Sequence, residues 1–218
     1  MKLEAWLRLV GLPHEPRSLG GPPRSATGKV PYVDLPDGTQ LAGSDVIIAH
    51  LSRAGHDPDR DLDAGQRAQA LLITRMVEEH LYFVTVWDRW HDDAGWAICG
   101  PAYFASLPPL VGSAVAWTQR RKVKGYLHGQ GLGRVPRDEV HARGIADLDA
   151  LATVLGAQPY LLGDRPHTVD CTVFATLSNL LHAPIEGPMK QALLGHANLV
   201  DYERRLRERL FPDWDQLT

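Results

Sequence analysis

The sequence predicts a small mixed α/β unit followed by an all-helical bundle. Two observations carry this. Two short strand candidates, Lys29–Asp34 and Thr39–Leu41, flank the turn Pro36-Asp37-Gly38, and Asp-Gly between such runs is a strong hairpin signal. After residue 63, by contrast, apolar residues recur at three- and four-residue spacing. Between the two regimes lies HDPDRDLD, residues 56–63, whose four Asp and one Pro mark a boundary; the expected division is 1–55 against 64–218. With 218 residues, 44% apolar and 22% charged, the chain has room for one large or two small domains and is neither a disordered tail nor a fibre.

The elements follow in order. Leu3, Trp6, Leu7 and Val10 form a helical stripe that Gly11 and Pro13 end, so a helix begins at residue 2. Residues 17–28, RSLGGPPRSATG, read as a loop before the hairpin. Ser44 opens a second helix, with Val46, Ile47, Ile48 and Leu51 as its apolar face and Gly55 as its stop. Further helices are expected at Ala64–Asp93, Pro108–Leu127, Pro136–Leu155, Val169–Leu181, from Pro188, and at Leu199–Leu210. The glycines at 129, 131 and 133 follow a helix rather than a strand and read as a hinge, not a phosphate cradle. There is no internal repeat.

Composition excludes several classes. The formal net charge is −3, and residues 1–55 carry six basic against five acidic side chains, so no nucleic-acid stripe is expected. Two cysteines cannot make a disulfide framework. The longest apolar run, Leu107–Trp117, is broken by Pro108, Pro109 and Gly112, well short of the ~20 residues that span a bilayer. Glu4 and Arg8 rule out a signal-peptide core, so the expected location is the cytoplasm. Ten histidines fall in no metal-ligand spacing, and no metal is expected.

The informative stretch is Gly28-Lys29-Val30-Pro31-Tyr32-Val33-Asp34, followed by Gly43-Ser44-Asp45-Val46-Ile47. A proline at the start of a strand sits at an edge or a turn. If the Val30–Pro31 bond is cis, the chain bends and the Val30 backbone faces outward, open to an extended peptide. Ser44 at a helix start offers N–H groups and a hydroxyl to a carboxylate; Asp45 offers an anion to an ammonium group. Both residues also suit plainer duties, Ser44 as N-cap and Asp45 as complement to the helix dipole.

This constellation resembles the glutathione-binding half of the glutathione S-transferases. KLEAWLRLVGLPHE is similar to their first helix and second strand. PYLLGDRP followed by TVDCTVFATL resembles the core helix of their second domain. WDRW together with RDEVHARGIADLDALATVLG resembles the metaxin and failed-axon-connections branch. The resemblance implies a truncated thioredoxin-like N-terminal domain, lacking its first strand, and an all-α C-terminal bundle. It implies glutathione as co-substrate: Val30, at the bend made by Pro31, pairs with the cysteinyl backbone, and Ser44 and Asp45 hold the γ-glutamyl end. Of the aromatic residues Tyr82, Phe83, Trp87, Trp90 and Trp96, it places Tyr82, Trp87 and Trp90 against a small apolar co-substrate to be conjugated or reduced; interior packing is the plain reading for at least half of the group. Homodimers are common in the family. The alternative is a non-catalytic binding or interaction module on the same fold.

Two departures stand out. The family's first strand, with the Tyr, Ser or Cys that activates the thiol, does not precede the helix at Met1, so no catalytic residue is assigned. The N-terminal unit is therefore expected to reduce to the hairpin plus helices, with the reading frame continuing upstream of Met1. Family members also carry Ser or Thr three residues before the Asp of this helix, whereas here His167 precedes Asp170 by three and Thr168 stands one place late. The Thr168 hydroxyl is expected to cap from that shifted frame or not at all. Glu78-Glu79-His80 and the cluster Arg120-Arg121-Lys122 with Lys124 read as solvated surface; Cys171 reads as core, and Cys99 as a loop residue and the more reactive thiol.

Overall fold

A computed structural model describes residues 1–17, 19 and 23–214; positions 18 and 20–22 of the expected loop lie outside the described residues. The chain divides into two compact units. Unit 1 comprises Met1–Ala70, Gln158–Ala175 and Tyr202–Thr218; unit 2 comprises Leu71–Ala157 and Thr176–Asp201.

In unit 1, helix α1 (Lys2–Leu9) buries Leu3, Ala5 and Trp6. Strands β1 (Tyr32–Asp34) and β2 (Gln40–Ala42) pair antiparallel, Tyr32 opposite Ala42 and Asp34 opposite Gln40. Among the described residues this two-stranded ribbon is the only sheet, and residues 14–16 belong to no strand. The expected reduction to a hairpin plus helices is what the structure has. Helix α2 (Ser44–Arg53) follows, burying Ile47 and Ile48.

The start of helix α8 (Thr168–His182) decides between the two capping outcomes. Thr168 does not cap: its Oγ1 accepts the Trp6 indole N–H at 3.1 Å, fixing a tryptophan with no exposed surface. The Thr168 N–H donates instead to Asp59 Oδ1 at 2.9 Å, and the His167 N–H donates to Asp170 Oδ2 at 2.7 Å. Asp170 thus supplies the reciprocal half of a capping box whose hydroxyl half is missing. His167 sits in the hydroxyl's place, buried, with no hydrogen-bond partner for either ring nitrogen among the described residues. Burial pushes its pKa down, because the imidazolium cannot be solvated there.

Unit 2 is helical. The run predicted as one helix over 64–93 is α3 (Ala64–Met76), a wide π-turn (Val77–Leu81), α4 (Tyr82–Val86) and a second wide turn (Trp87–His91). A helix absent from the sequence reading, α5 (Asp93–Tyr103), comes next; the Asp92 carboxylate caps it by accepting the Gly95 N–H at 3.1 Å. Cys99 lies in α5 and is 5% exposed, so it is a buried helical residue and not a loop thiol. Then come α6 (Pro109–Gln130), a 3-10 turn (Leu132–Arg134), α7 (Arg137–Leu155), α9 (Pro188–Gly195) and α10 (Ala197–Leu210), whose residues from Tyr202 on, like residues 64–70 of α3, belong to unit 1.

Two surface expectations also change. His80 Nδ1 lies 2.5 Å from Asp147 Oδ2 rather than on a purely solvated face. Arg120 is a clamp: it donates to the carbonyl oxygens of Trp90, His91 and Asp92 and to Asp93 Oδ1, satisfying the open end of the second wide turn. Among the described residues no helix is long and apolar enough to cross a membrane.

Candidate functional site

The hairpin brings the two halves of the predicted site together. The Val30–Pro31 bond is cis. The Pro31 carbonyl oxygen accepts the Gly43 N–H at 2.9 Å, which extends the ribbon by one pair beyond Tyr32–Ala42. Val30 thus directly precedes, and Ser44 directly follows, the last bonded pair of the ribbon. Upstream, Ser25 fastens the approach: its Oγ accepts the Lys29 N–H at 3.0 Å and donates to the Lys29 carbonyl at 2.6 Å. Val30 itself is 61% exposed, and its backbone has no hydrogen-bond partner among the described residues. An open peptide unit at a sheet edge is a template for strand addition.

Across from it, Gly43 and not Ser44 takes the N-cap position of α2. Its φ of +101° is a conformation that side chains rarely adopt, which is why glycine precedes the serine. No side chain caps this helix, so the N–H groups of Ser44, Asp45 and Val46 and the Ser44 hydroxyl stay open at the positive end of the dipole. Ile47 donates back to the Gly43 carbonyl and anchors the turn. Asp45 is exposed, and Lys2 pairs with its Oδ1 at 2.5 Å while Oδ2 faces no described partner. The lysine, 43 residues away in sequence, carried no local signal. The resulting corner has an outward peptide edge, open N–H donors and a half-engaged carboxylate. It is equipped for a zwitterionic ligand with a peptide tail.

The aromatic candidates fare differently from one another. Tyr82 is 51% exposed and meets Phe83 edge-on. Trp87 is 4% exposed, stacked on His91 at 5.1 Å and edge-on to His141 at 5.7 Å, so it is interior. His141 in turn lies 2.7 Å from Asp88, whose carboxyl is raised by burial against the pull of that histidine. Trp90 is half-buried, 5.3 Å from both Trp96 and Tyr103. These three share no ring contact among the described residues. No metal-ligand group of three or more His, Cys, Asp or Glu occurs among the described residues.

Comparison with known proteins bears on the whole chain. The glutathione S-transferase N-terminal domain family matches residues 1–95, and the glutathione S-transferase C-terminal domain family matches 144–206. The isoprene-epoxide–glutathione S-transferase of Rhodococcus sp. (strain AD45) is 35% identical over 189 residues, 85% of this chain and 79% of its own length. Failed axon connections of Drosophila melanogaster is 30% identical over all of this chain, which spans 55% of that protein. Among solved structures, the β-etherase LigF of Sphingobium sp. strain SYK-6 superposes with a TM-score of 0.67, covering 99% of this chain and 93% of that one at 18% identity. The chain belongs to the glutathione S-transferase family.

Proposed function

We propose that the chain binds glutathione at the hairpin corner and uses it on a small apolar electrophile. The observation that supports this most is the hydrogen bond from the Gly43 N–H to the Pro31 carbonyl, which ties the residue after the open Val30 peptide to the residue before the open N–H groups of α2. In this reading the cysteinyl amide and carbonyl of glutathione pair with the Val30 backbone. The γ-glutamyl carboxylate accepts from the N–H groups of Ser44 and Asp45 and from the Ser44 hydroxyl. Its ammonium group meets Asp45 Oδ2 while Lys2 keeps Oδ1. Residues 1–55 are then the ligand-binding half and 64–218 the helical half.

The name of the Rhodococcus relative points to an epoxide as electrophile. The glutathione sulfur then forms a C–S bond as the C–O bond opens, and the alkoxide takes a proton from water. A free thiol of pKa ~8.5 is only a few per cent ionised at neutral pH, so stabilising the thiolate controls the rate. The two unpaired cysteines suit the reducing cytoplasm as the setting.

Retention on immobilised glutathione tests the site. Wild type is expected to bind and elute with free glutathione, and Asp45→Ala is expected to lose roughly tenfold or more in affinity. Lys2→Met, which removes the competing cation, should stay bound. Equal retention of wild type and Asp45→Ala would dismiss the site. Retention without consumption of glutathione in the presence of an epoxide would select the non-catalytic module instead.

A further inference from the structure

A second recess lies in unit 1, at the other end of α2. Nine helical steps take Ser44 to Arg53, about 13 Å along the axis. The recess encloses about 340 Å3. Its walls come from the end of α1 (Leu9, Val10), the loop Gly55–Arg60 after α2, Arg165-Pro166 before α8, and Arg209 near the end of α10.

Its charge is unlike that of the chain as a whole. Three guanidinium groups, Arg60, Arg165 and Arg209, and the His56 imidazole line it, against one lining carboxylate, Asp57. That carboxylate is already engaged, accepting the Asp59 N–H at 2.9 Å. Arg165 pairs with Asp61. Among the described residues Arg209 donates only to the neutral Tyr160 hydroxyl at 3.3 Å and lies over that ring, and Arg60 has no partner. Among the described residues these two guanidinium groups meet no anion.

Capping the helix ends is not their task. The last carbonyls of α1 accept from the N–H groups of Val10, Gly11 and Leu12, and those of α2 from Ala54, Gly55 and His56. With those carbonyls satisfied by the backbone, the open donors of Arg60 and Arg209 are available to a ligand. Leu9, Val10, Pro58 and Pro166 give the same recess an apolar lining.

We infer that this recess binds a small organic phosphate, its dianionic head taken by Arg60 and Arg209 and its carbon skeleton lying against Leu9, Val10, Pro58 and Pro166. A phosphate monoester carries close to two negative charges at neutral pH and three acceptor oxygens, which matches two guanidinium forks better than a single carboxylate does. The volume exceeds that of the phosphate alone and leaves room for a few carbon atoms. The site is separate from the hairpin corner and does not depend on it.

Titration calorimetry of the full chain with inorganic phosphate, with glycerol 1-phosphate, and with chloride at matched ionic strength tests the inference. Glycerol 1-phosphate is expected to bind more tightly than inorganic phosphate, and chloride not to bind. Arg60→Ala, at an exposed residue without a partner, should fold normally and weaken glycerol 1-phosphate binding about tenfold or more. Asp45→Ala should leave it unchanged, which separates this site from the glutathione reading. Phosphatidylcholine vesicles containing phosphatidic acid form a parallel arm: Arg60-dependent binding to them, with none to glycerol 1-phosphate, assigns the phosphate to a lipid headgroup. Heat that chloride reproduces, or affinity for both phosphate probes unchanged in Arg60→Ala, overturns the inference.

Discussion

Replacing Asp170 with alanine is expected to cost about 4 kcal/mol or more of folding stability, enough to leave a domain of ordinary stability largely unfolded. The carboxylate has no exposed surface and accepts three hydrogen bonds: Leu161 N–H at 3.0 Å and Tyr202 O–H at 2.7 Å on Oδ1, and His167 N–H at 2.7 Å on Oδ2. Burial raises its pKa, and the three donors oppose that rise. Burial beside Asp170 likewise pushes the Tyr202 hydroxyl far above its usual range, so that hydroxyl remains a donor. Removing the carboxylate strands all three donors in a dry interior, each at about 1–3 kcal/mol. Asp170→Asn should lose less, since its oxygen can keep Leu161 and Tyr202 while its amide opposes the His167 N–H. Guanidinium-induced unfolding measures both. An alanine variant within about 1 kcal/mol of wild type would show that the α8 start is held some other way.

The second large effect is steric. A Cβ on Gly95 would stand 1.8 Å from the Asp88 carbonyl oxygen and 2.9 Å from its carbon. Both are main-chain atoms of the wide turn at Trp87–His91, so no side-chain rotation relieves the contact. Gly95→Ala is expected to cost about 3 kcal/mol, the upper range of overpacking. For a chain of this length that lowers the melting temperature by roughly 6–12 °C. Gly125 in α6 is the internal control, because a Cβ there meets nothing within 4 Å. Gly125→Ala should be neutral or stabilise by up to about 1 kcal/mol. A Gly95→Ala protein that melts with wild type would mean that the α4–α5 corner is looser than described.

What was legible in the sequence is what is local. The Asp-Gly turn between two strand-like runs made the hairpin legible. The long helices were legible from their apolar spacing. Helix α5 was not, because two glycines and Pro101 within eleven residues imitate a loop, while the Asp92 cap and the Arg120 clamp that sustain it are tertiary or easily overlooked. Ser44 looked like a cap because nothing in the sequence shows that Gly43 adopts a positive φ. Partners far apart in the chain were the least visible: Lys2 on Asp45, Trp6 on Thr168, and Asp59 on the Thr168 N–H at a separation of 109 residues. Each decides the role of a residue that had been noticed for another reason.

Backbone amide chemical shifts during a glutathione titration probe the hairpin corner residue by residue. Saturable shifts at Val30, Ser44, Asp45 and Val46, absent in Asp45→Ala, are the expected result. Shifts confined to other parts of the chain, or none at millimolar glutathione, would contradict it.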